Sequence, residues 1–249
     1  MKIPLLFLST FPLLIGGNVR TEESQGEFQY VPYSTRKVAQ ITGDYDHGWR
    51  KPTPTQTASR GIFYTDLGSS FEHKGQLYFL FGDTFSSLNE AEEGPDFVAV
   101  SDSTNPFSLE LEFFEDERGQ PVPIDIPGIR EGVLEVPTHG VSIDGDIYLV
   151  FATESDGMAG PDMPGETQMR KSYLTRSHDD GLSWERLYLL SEATGDDDFS
   201  EAKFINVAFA RPTDPSPWKD ALPESAREDP VFLFGTGEYR KSDLYLAVT

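Results

Sequence analysis

The chain of 249 residues contains no cysteine. This absence excludes disulfide bridges, thiolate zinc sites, cysteine nucleophiles and acylation as a lipoprotein. Histidine is also scarce, and the four histidines show no metal-ligand spacing such as H-E-x-x-H. Beyond the N-terminus, apolar residues do not recur at helical spacing for more than about three turns, which argues against a helical protein.

Basic residues are outnumbered, 20 Lys and Arg against 42 Asp and Glu, and the formal net charge is −22. Such a charge argues against nucleic acid or an anionic membrane as a partner, because both require basic surface patches. It suits a neutral or cationic substrate. The bulk of the charge is also what solvates an extracellular or salt-adapted surface.

Residues 1–18 carry one Lys, an apolar run and then small residues, a pattern typical of a secretory signal peptide. The run of about 15 apolar residues is short for a membrane span. An uncleaved anchor or an N-terminal core strand are the alternatives. As a signal peptide, it predicts an extracellular or periplasmic protein without a membrane span, with 19–35 as a polar lead-in and 36–249 as the folded domain.

The content of 22 Gly, 18 Pro and 12% aromatic residues favours a turn-rich β protein. The alternating runs 66–73 and 76–83 flank Lys74-Gly75, which predicts a hairpin with a two-residue loop. In that register Asp66 lies directly opposite Asp83, with Cβ atoms roughly 5 Å apart. Like charges so placed destabilise a sheet, so catalysis or cation binding is the expected reason for the pair.

This hairpin recurs. The segment from Phe71 matches the segment from Val141 at an offset of 70, and 231–235 forms a third apolar strand with Phe234 in the place of Phe81. Further strands follow each unit: 97–101, 173–177 and 244–248 as third strands, and 109–114 and 184–190 as fourth strands. Repeating units of four antiparallel strands are the signature of a β-propeller.

Residues 177–184, SHDDGLSW, fit the S-x-D-x-G-x-x-W Asp-box of sialidase-like propellers. Asp and Gly form the turn between the third and fourth strands, while Trp184 packs inside the blade. The motif is structural, so it indicates the fold and assigns no catalytic role to Asp179. The three units fill 36–249 and the third ends at its third strand, so we interpret the chain as a C-terminally truncated propeller. Closure by oligomerisation is the alternative.

The segments TDLGSSF from Thr65 and LYFLFGDTF from Leu77 resemble the opening blade of the domain-of-unknown-function 4185 family. The segments VPTHGVSIDGDIYLVFA, the Asp-box and VFLFGTGEYRKSDLYLA resemble its later blades. The resemblance implies an all-β, five-bladed propeller of four-stranded antiparallel blades, of which this chain holds about three. Some members of the family cleave D-arabinan internally, so it also implies a secreted glycoside hydrolase that acts as a monomer when complete.

In each hairpin the first strand starts where the second strand ends, so acidic residues from several blades are expected at one mouth of the propeller. Asp66 and Asp83 come from the first unit. The turn Asp144-Gly145 would pair Glu135 with Glu154, and Glu238 follows the second strand of the third unit, with Arg240 nearby.

Glycoside hydrolysis requires two carboxyl groups, one protonated and one ionised. Asp66 is the expected nucleophile or base, with Asp83 tuning it or acting as the acid; alternatively Asp66 works with Glu135 or Glu154. Substrate contacts are expected from those two glutamates and from His139, Glu238, Arg240 and Trp49, on a polysaccharide or oligosaccharide. We expect no cofactor, with structural calcium as an option for the carboxylates. A non-catalytic carbohydrate-binding or surface-recognition propeller is the alternative function.

Overall fold

A computed structural model describes residues 32–85, 95–103, 105–129, 135–153, 169–193, 202–237 and 242–249, with the backbone alone at 66–68. The chain divides into the units 1–36 and 37–249, and every strand lies in the second. Within the described ranges there is no α-helix, and no helix is long and apolar enough to cross a membrane. The predicted all-β class is confirmed.

In the described residues, thirteen strands form one ribbon and three larger antiparallel sheets. The ribbon pairs β1 (Tyr45–Asp46) with β2 (Lys51–Pro52). Sheet I contains β3 (Tyr64–His73), β4 (Gln76–Phe85), β5 (Phe97–Ser101) and β6 (Glu112–Phe113). Sheet II contains β7 (Val136–Ile143), β8 (Asp146–Thr153), β9 (Lys171–Ser177) and β10 (Glu185–Glu192). Sheet III contains β11 (Asn206–Ala210), β12 (Phe232–Thr236) and β13 (Leu244–Val248). Short 3-10 helices lie at Ala58–Arg60, Pro106–Ser108, Lys219–Ala221 and Glu224–Ala226.

The two predicted hairpin turns are confirmed. Lys74 and Gly75 have φ values of 50° and 82°, and Asp144 and Gly145 have 52° and 89°. Two consecutive left-handed residues form a type I′ turn, whose twist matches that of the flanking strands. In sheet III the expected tight hairpin is absent, since residues 211–231 join β11 to β12. This connection contains five prolines, which cannot donate to a strand ladder.

The predicted pairing of Asp66 with Asp83 is wrong. The register from His73↔Gln76 to Ser69↔Leu80 is as expected, but Asp66 then pairs with Gly82. One extra residue on β3 causes the first shift, and Asp83, at a φ of 47°, is the extra residue that restores the register on β4. A bulge leaves its extra residue unpaired and re-aims the strand, so simple counting from the turn fails beyond it.

Sheet II has a bulge at the equivalent place. Pairing follows the predicted register from Ile143↔Asp146 to His139↔Val150, then shifts to Pro137↔Phe151 and Val136↔Ala152. Thr138 is the extra residue, so the predicted pairing of Glu135 with Glu154 is not continued by the ladder. Glu154 itself lies outside the described residues.

The first strands of the three sheets lie side by side and run in the same direction. Along β7, Val136 packs on Gly82 of β4, the partner of Asp66, while Gly140 and Ser142 contact Phe71 and His73 of β3. Along β7, Thr138 contacts Val207, His139 contacts Phe209 and Ser142 contacts Arg211. The partners therefore follow one another in the same order on β7 and on the β11 segment. Each sheet therefore presents its first strand to the next sheet in the chain.

The main core lies between sheets I and II. It contains Leu80 and Tyr78 from sheet I, and Ile147, Leu149 and Trp184 from sheet II. The opposite face of sheet I packs under the segment before β3, whose Ile41 and Ile62 contact the face that carries Phe81 and Phe97. Burial of alternate residues on both faces explains why the strand 77–82 reads as a continuous apolar run.

The Asp-box forms the turn between β9 and β10, as predicted. The Asp179 carboxylate accepts hydrogen bonds from the Ser183 backbone N–H at 2.8 Å, the Ser183 hydroxyl at 2.6 Å and the Ser177 hydroxyl at 2.8 Å. Gly181 adopts a φ of 96° and Trp184 is buried in the main core. The motif thus ties a buried tryptophan to a rigid, hydrogen-bonded turn.

Replacement of Asp179 by Ala is expected to lower the free energy of unfolding by about 1 kcal/mol, because the turn loses hydrogen bonds to a charged acceptor. The hydrogen bonds from Ser183 hold the pKa of Asp179 below its usual value. The stabilisation is therefore present at neutral pH and is lost as the pH falls through the folded-state pKa. Urea unfolding at pH 7 measures the change. Leu182→Ala in the same turn is the control, since Leu182 is exposed; equal stability of the two variants would contradict this role.

Candidate functional site

Buried charged side chains gather at the end of sheets I and II where β3 and β7 begin, which we call the carboxylate end. Four of them are almost inaccessible: Asp96 is 4% exposed, Glu135 5%, Arg170 8% and Lys171 9%. Asp83, half-buried, lies in the β4 bulge at the same end. Charged residues are almost never this buried unless they are paired, so this end of the molecule is built for a specific arrangement of charge.

Strand order brings these residues together. Asp96 and Glu135 directly precede β5 and β7, and the backbone of Arg170 donates to the carbonyl of Thr153 at the end of β8. Lys171 pairs with Thr153 across the β8–β9 ladder and its ammonium group lies 3.2 Å from Glu192. Every one of these positions is a strand end opposite the type I′ turns.

Asp96 organises the bulge at Asp83. Its Oδ1 accepts a hydrogen bond from the Asp83 backbone N–H at 3.0 Å and would lie 3.6 Å from a Cβ at Gly82. Sequence reasoning missed Asp96, Arg170 and Lys171. The predicted strand order could have indicated them. In a meander, the third strand starts at the same edge of the sheet at which the second strand finishes.

The predicted acidic residues divide into those the structure locates and those it does not. The backbone of Asp66 pairs with Gly82, which packs against Val136, the neighbour of Glu135. Asp66, Asp83 and Glu135 therefore belong to the same end of two adjacent sheets. Glu154, Glu238 and Arg240 lie outside the described residues.

A cleft of about 500 Å³ lies along the first strands of all three sheets, away from the carboxylate end. Its walls combine aromatic, cationic and hydroxyl side chains: Ser70, Phe71, Glu72, Lys74, His139, Gly140, Val141, Ser142, Phe209 and Arg211. A cavity of this size matches those that hold small molecules in proteins.

His139 lies in this cleft. Its Nδ1 accepts a hydrogen bond from the Phe209 backbone N–H at 3.3 Å, and the two rings are 6.0 Å apart. Burial lowers the pKa of His139, so the imidazole is neutral at physiological pH and contributes a polar, uncharged surface. His139, an expected substrate contact, thus lies in the cleft wall, further along β7 than the carboxylate end.

Trp49 lies in the turn between β1 and β2 and is 44% exposed. Lys37 and Lys51 place their ammonium groups 5.5 Å and 4.8 Å from its ring centroid. Asp46 fixes the turn by accepting hydrogen bonds from Lys37 at 2.6 Å and from the Trp49 backbone N–H at 3.0 Å. The contacts of Trp49 are therefore with its own segment.

Metal binding has no candidate site in the part of the chain that the structure describes, since no three His, Asp or Glu residues there are grouped to hold an ion. The carboxylate end instead contains both acidic and basic buried side chains. Such a site can orient polar groups and transfer protons through carboxyl groups.

Within each sheet the strands are antiparallel, while the first strands of neighbouring sheets lie side by side and run in parallel. The chain is therefore an all-β protein with a repeated sheet unit. Residues 52–249 match the model of a family described as a domain of unknown function, DUF4185. The chain belongs to this family, which confirms the resemblance seen in its sequence. No curated protein matches the chain.

Proposed function

We propose that the protein is a secreted glycoside hydrolase that cleaves a polysaccharide such as an arabinan. The observation that carries this proposal is the group of buried acidic and basic side chains at the carboxylate end. Buried carboxyl groups with neighbouring charges are the means by which enzymes hold one acid protonated and another ionised. Glycoside hydrolysis needs such a pair on either side of the scissile bond.

In this proposal Asp66 is the nucleophile or base and Glu135 is the acid. The bulged register supports this choice over Asp66 with Asp83, because Asp66 faces Gly82 and Gly82 packs beside the strand that Glu135 precedes. Asp83, held through its backbone by Asp96, would tune the pair. Arg170 and Lys171 would balance the charge of the carboxylates.

The proposed scaffold is a five-bladed propeller in which sheets I, II and III are consecutive blades. The parallel, adjacent first strands support it, because blades pack in this way around an axis. Sheet III also presents an apolar face, with Phe234, Leu244 and Leu246 being 39%, 68% and 60% exposed. A neighbouring blade would cover such a face. Secretion is part of the proposal and depends on 1–18, outside the described residues.

A non-catalytic carbohydrate-binding protein is the second candidate, favoured by the cleft. Aromatic faces on Phe71 and Phe209 beside the neutral His139 suit a sugar ring, which offers both C–H groups and hydroxyls. In this case the carboxylate end would only stabilise the fold.

Incubation of the protein with plant, bacterial and mycobacterial polysaccharides separates the two candidates. Hydrolysis predicts released oligosaccharides from at least one substrate, detected by chromatography and mass spectrometry. Saturable binding to a glycan without any product would contradict the hydrolase and support the binding protein.

A further inference from the structure

A buried histidine between sheets I and II joins a serine to an aspartate. The side chain of His73 has no exposed surface, its Nδ1 lies 2.8 Å from Ser142 Oγ, and its Nε2 lies 3.0 Å from Asp180 Oδ1. The three residues come from β3, β7 and the Asp-box turn. The proposed cleavage of a glycan at the carboxylate end uses none of them.

The neighbours of His73 determine where its proton lies. Hydrogen bonds from His73 and then Lys74 hold the pKa of Asp180 below its usual value, so Asp180 is a carboxylate that only accepts. The contact with this carboxylate therefore requires a hydrogen on His73 Nε2, and the tautomer with that single ring hydrogen presents Nδ1 as the acceptor for the hydroxyl proton of Ser142. The ring of Tyr78 meets His73 edge-on at 5.3 Å, and its hydroxyl donates to the Asp180 carbonyl at 3.2 Å.

Ser142 is accessible from the 500 Å³ cleft, whereas His73 lies behind it. Phe71 and Phe209 give the cleft apolar walls, and Lys74 and Arg211 contribute cationic side chains that are paired with Asp180 and Asp229. Arg211 also donates through Nη1 to the Ser142 carbonyl at 2.8 Å, which keeps the guanidinium beside the serine. A guanidinium at this point can donate a hydrogen bond to an oxyanion formed on a substrate carbonyl.

We propose that Ser142, His73 and Asp180 form a second active site, which hydrolyses short-chain carboxylic esters bound in the cleft. Ser142 Oγ attacks the ester carbonyl carbon while its proton passes to His73 Nδ1, and the carbonyl π electrons move onto oxygen. When the C–O bond to the alcohol breaks, the alcohol leaves with that proton. Water then attacks the acyl-serine, gives its proton to His73, and the acid leaves as the serine hydroxyl is restored.

Asp180 is a positioning residue in this scheme, since it holds the imidazole tautomer and stabilises the imidazolium that forms. The base is within hydrogen-bond distance of both the nucleophile and the orienting carboxylate, and the nucleophile lines a cleft, which is the geometry of an activated serine. The proposal does not depend on the glycan-cleaving function, because the two sites share no residue.

Treatment of the full chain with diisopropyl fluorophosphate tests the proposal. The expected result is a phosphoryl group on Ser142, with a new P–O bond, loss of fluoride and transfer of the hydroxyl proton to His73. Ser142→Ala should abolish both this labelling and hydrolysis of p-nitrophenyl acetate. Asp180→Asn and His73→Gln should slow labelling about 100-fold. Ser225→Ala removes an exposed serine outside the cleft and should change neither rate.

Peptide mass spectrometry locates the label and thermal unfolding checks each variant. A folded wild-type protein without label on Ser142, or equal ester hydrolysis by Ser142→Ala, would overturn the proposal. If the wild-type protein is not labelled and the variants unfold at a lower temperature, the three residues are a structural link between the sheets and the proposal is wrong. Asp180→Asn keeps the test decisive if His73→Gln does not fold, since the Asp180 side chain is 49% exposed.

Discussion

Replacement of Asp66 by Asn is expected to lower the rate of glycan cleavage about 10³-fold while leaving the free energy of unfolding unchanged within about 0.5 kcal/mol. The amide keeps the size of the side chain but can neither attack the anomeric carbon nor accept a proton. The rate of oligosaccharide release by the protein measures the effect. Asp125→Asn is the matched control, because Asp125 is exposed.

Two further variants identify the partner of Asp66. If Glu135 is the acid, Glu135→Gln should cost about as much as Asp66→Asn, and Asp83→Asn should cost clearly less. Equal losses for Asp83→Asn and Asp66→Asn would instead favour a pair within sheet I. Full activity of Asp66→Asn would contradict the assignment of the carboxylate end as the catalytic site.

Replacement of Gly140 by Ala is expected to lower the free energy of unfolding by about 3 kcal/mol. A Cβ at this position would lie 2.3 Å from Phe71 Cε1 and 2.7 Å from Leu149 Cδ2. Both side chains would have to move at the contact between sheets I and II, where Leu149 is fully buried. Chemical denaturation of the variant and the wild-type protein measures the difference.

A double-mutant cycle with Phe71→Ala serves as the control for this effect. Removal of the ring opens space beside β7, so Gly140→Ala should cost clearly less in the Phe71→Ala background than in the wild-type protein. Identical costs in both backgrounds, or wild-type stability of Gly140→Ala, would show that the two sheets do not pack closely at this point.

Strands and turns were predictable because their signals are local. The apolar alternation of 76–83 and the left-handed residues Lys74 and Gly75 lie within a few positions of one another. The same holds for the Asp-box, whose hydrogen bonds join residues at most four positions apart. Composition, charge and the family resemblance likewise need no tertiary contact.

Register beyond a bulge was not predictable from these signals. An extra residue on β3 moves Gly82 opposite Asp66, and Asp83, left-handed beside Asp96, then restores the register on β4. Aspartate is typical of turns in general, so its presence does not by itself predict a bulge. The expected Asp66–Asp83 pair failed for this reason, although both residues belong to the same end of the sheet.

The candidate sites depend on contacts between distant parts of the chain. His73 meets Ser142 across 69 positions and Asp180 across 107 positions. Asp96, Arg170 and Lys171 join the carboxylate end only because strand ends of two sheets meet there.

The sequence by itself determined the β class, the repeated sheet unit, the tight turns and the acidic surface, since each follows from neighbouring residues or from total composition. Tertiary structure decided which charged groups are buried together and which serine lies beside a histidine. The physical reason is that burial and hydrogen-bond distance are properties of packed sheets, and the bulges that set the packing depend on partners far along the chain.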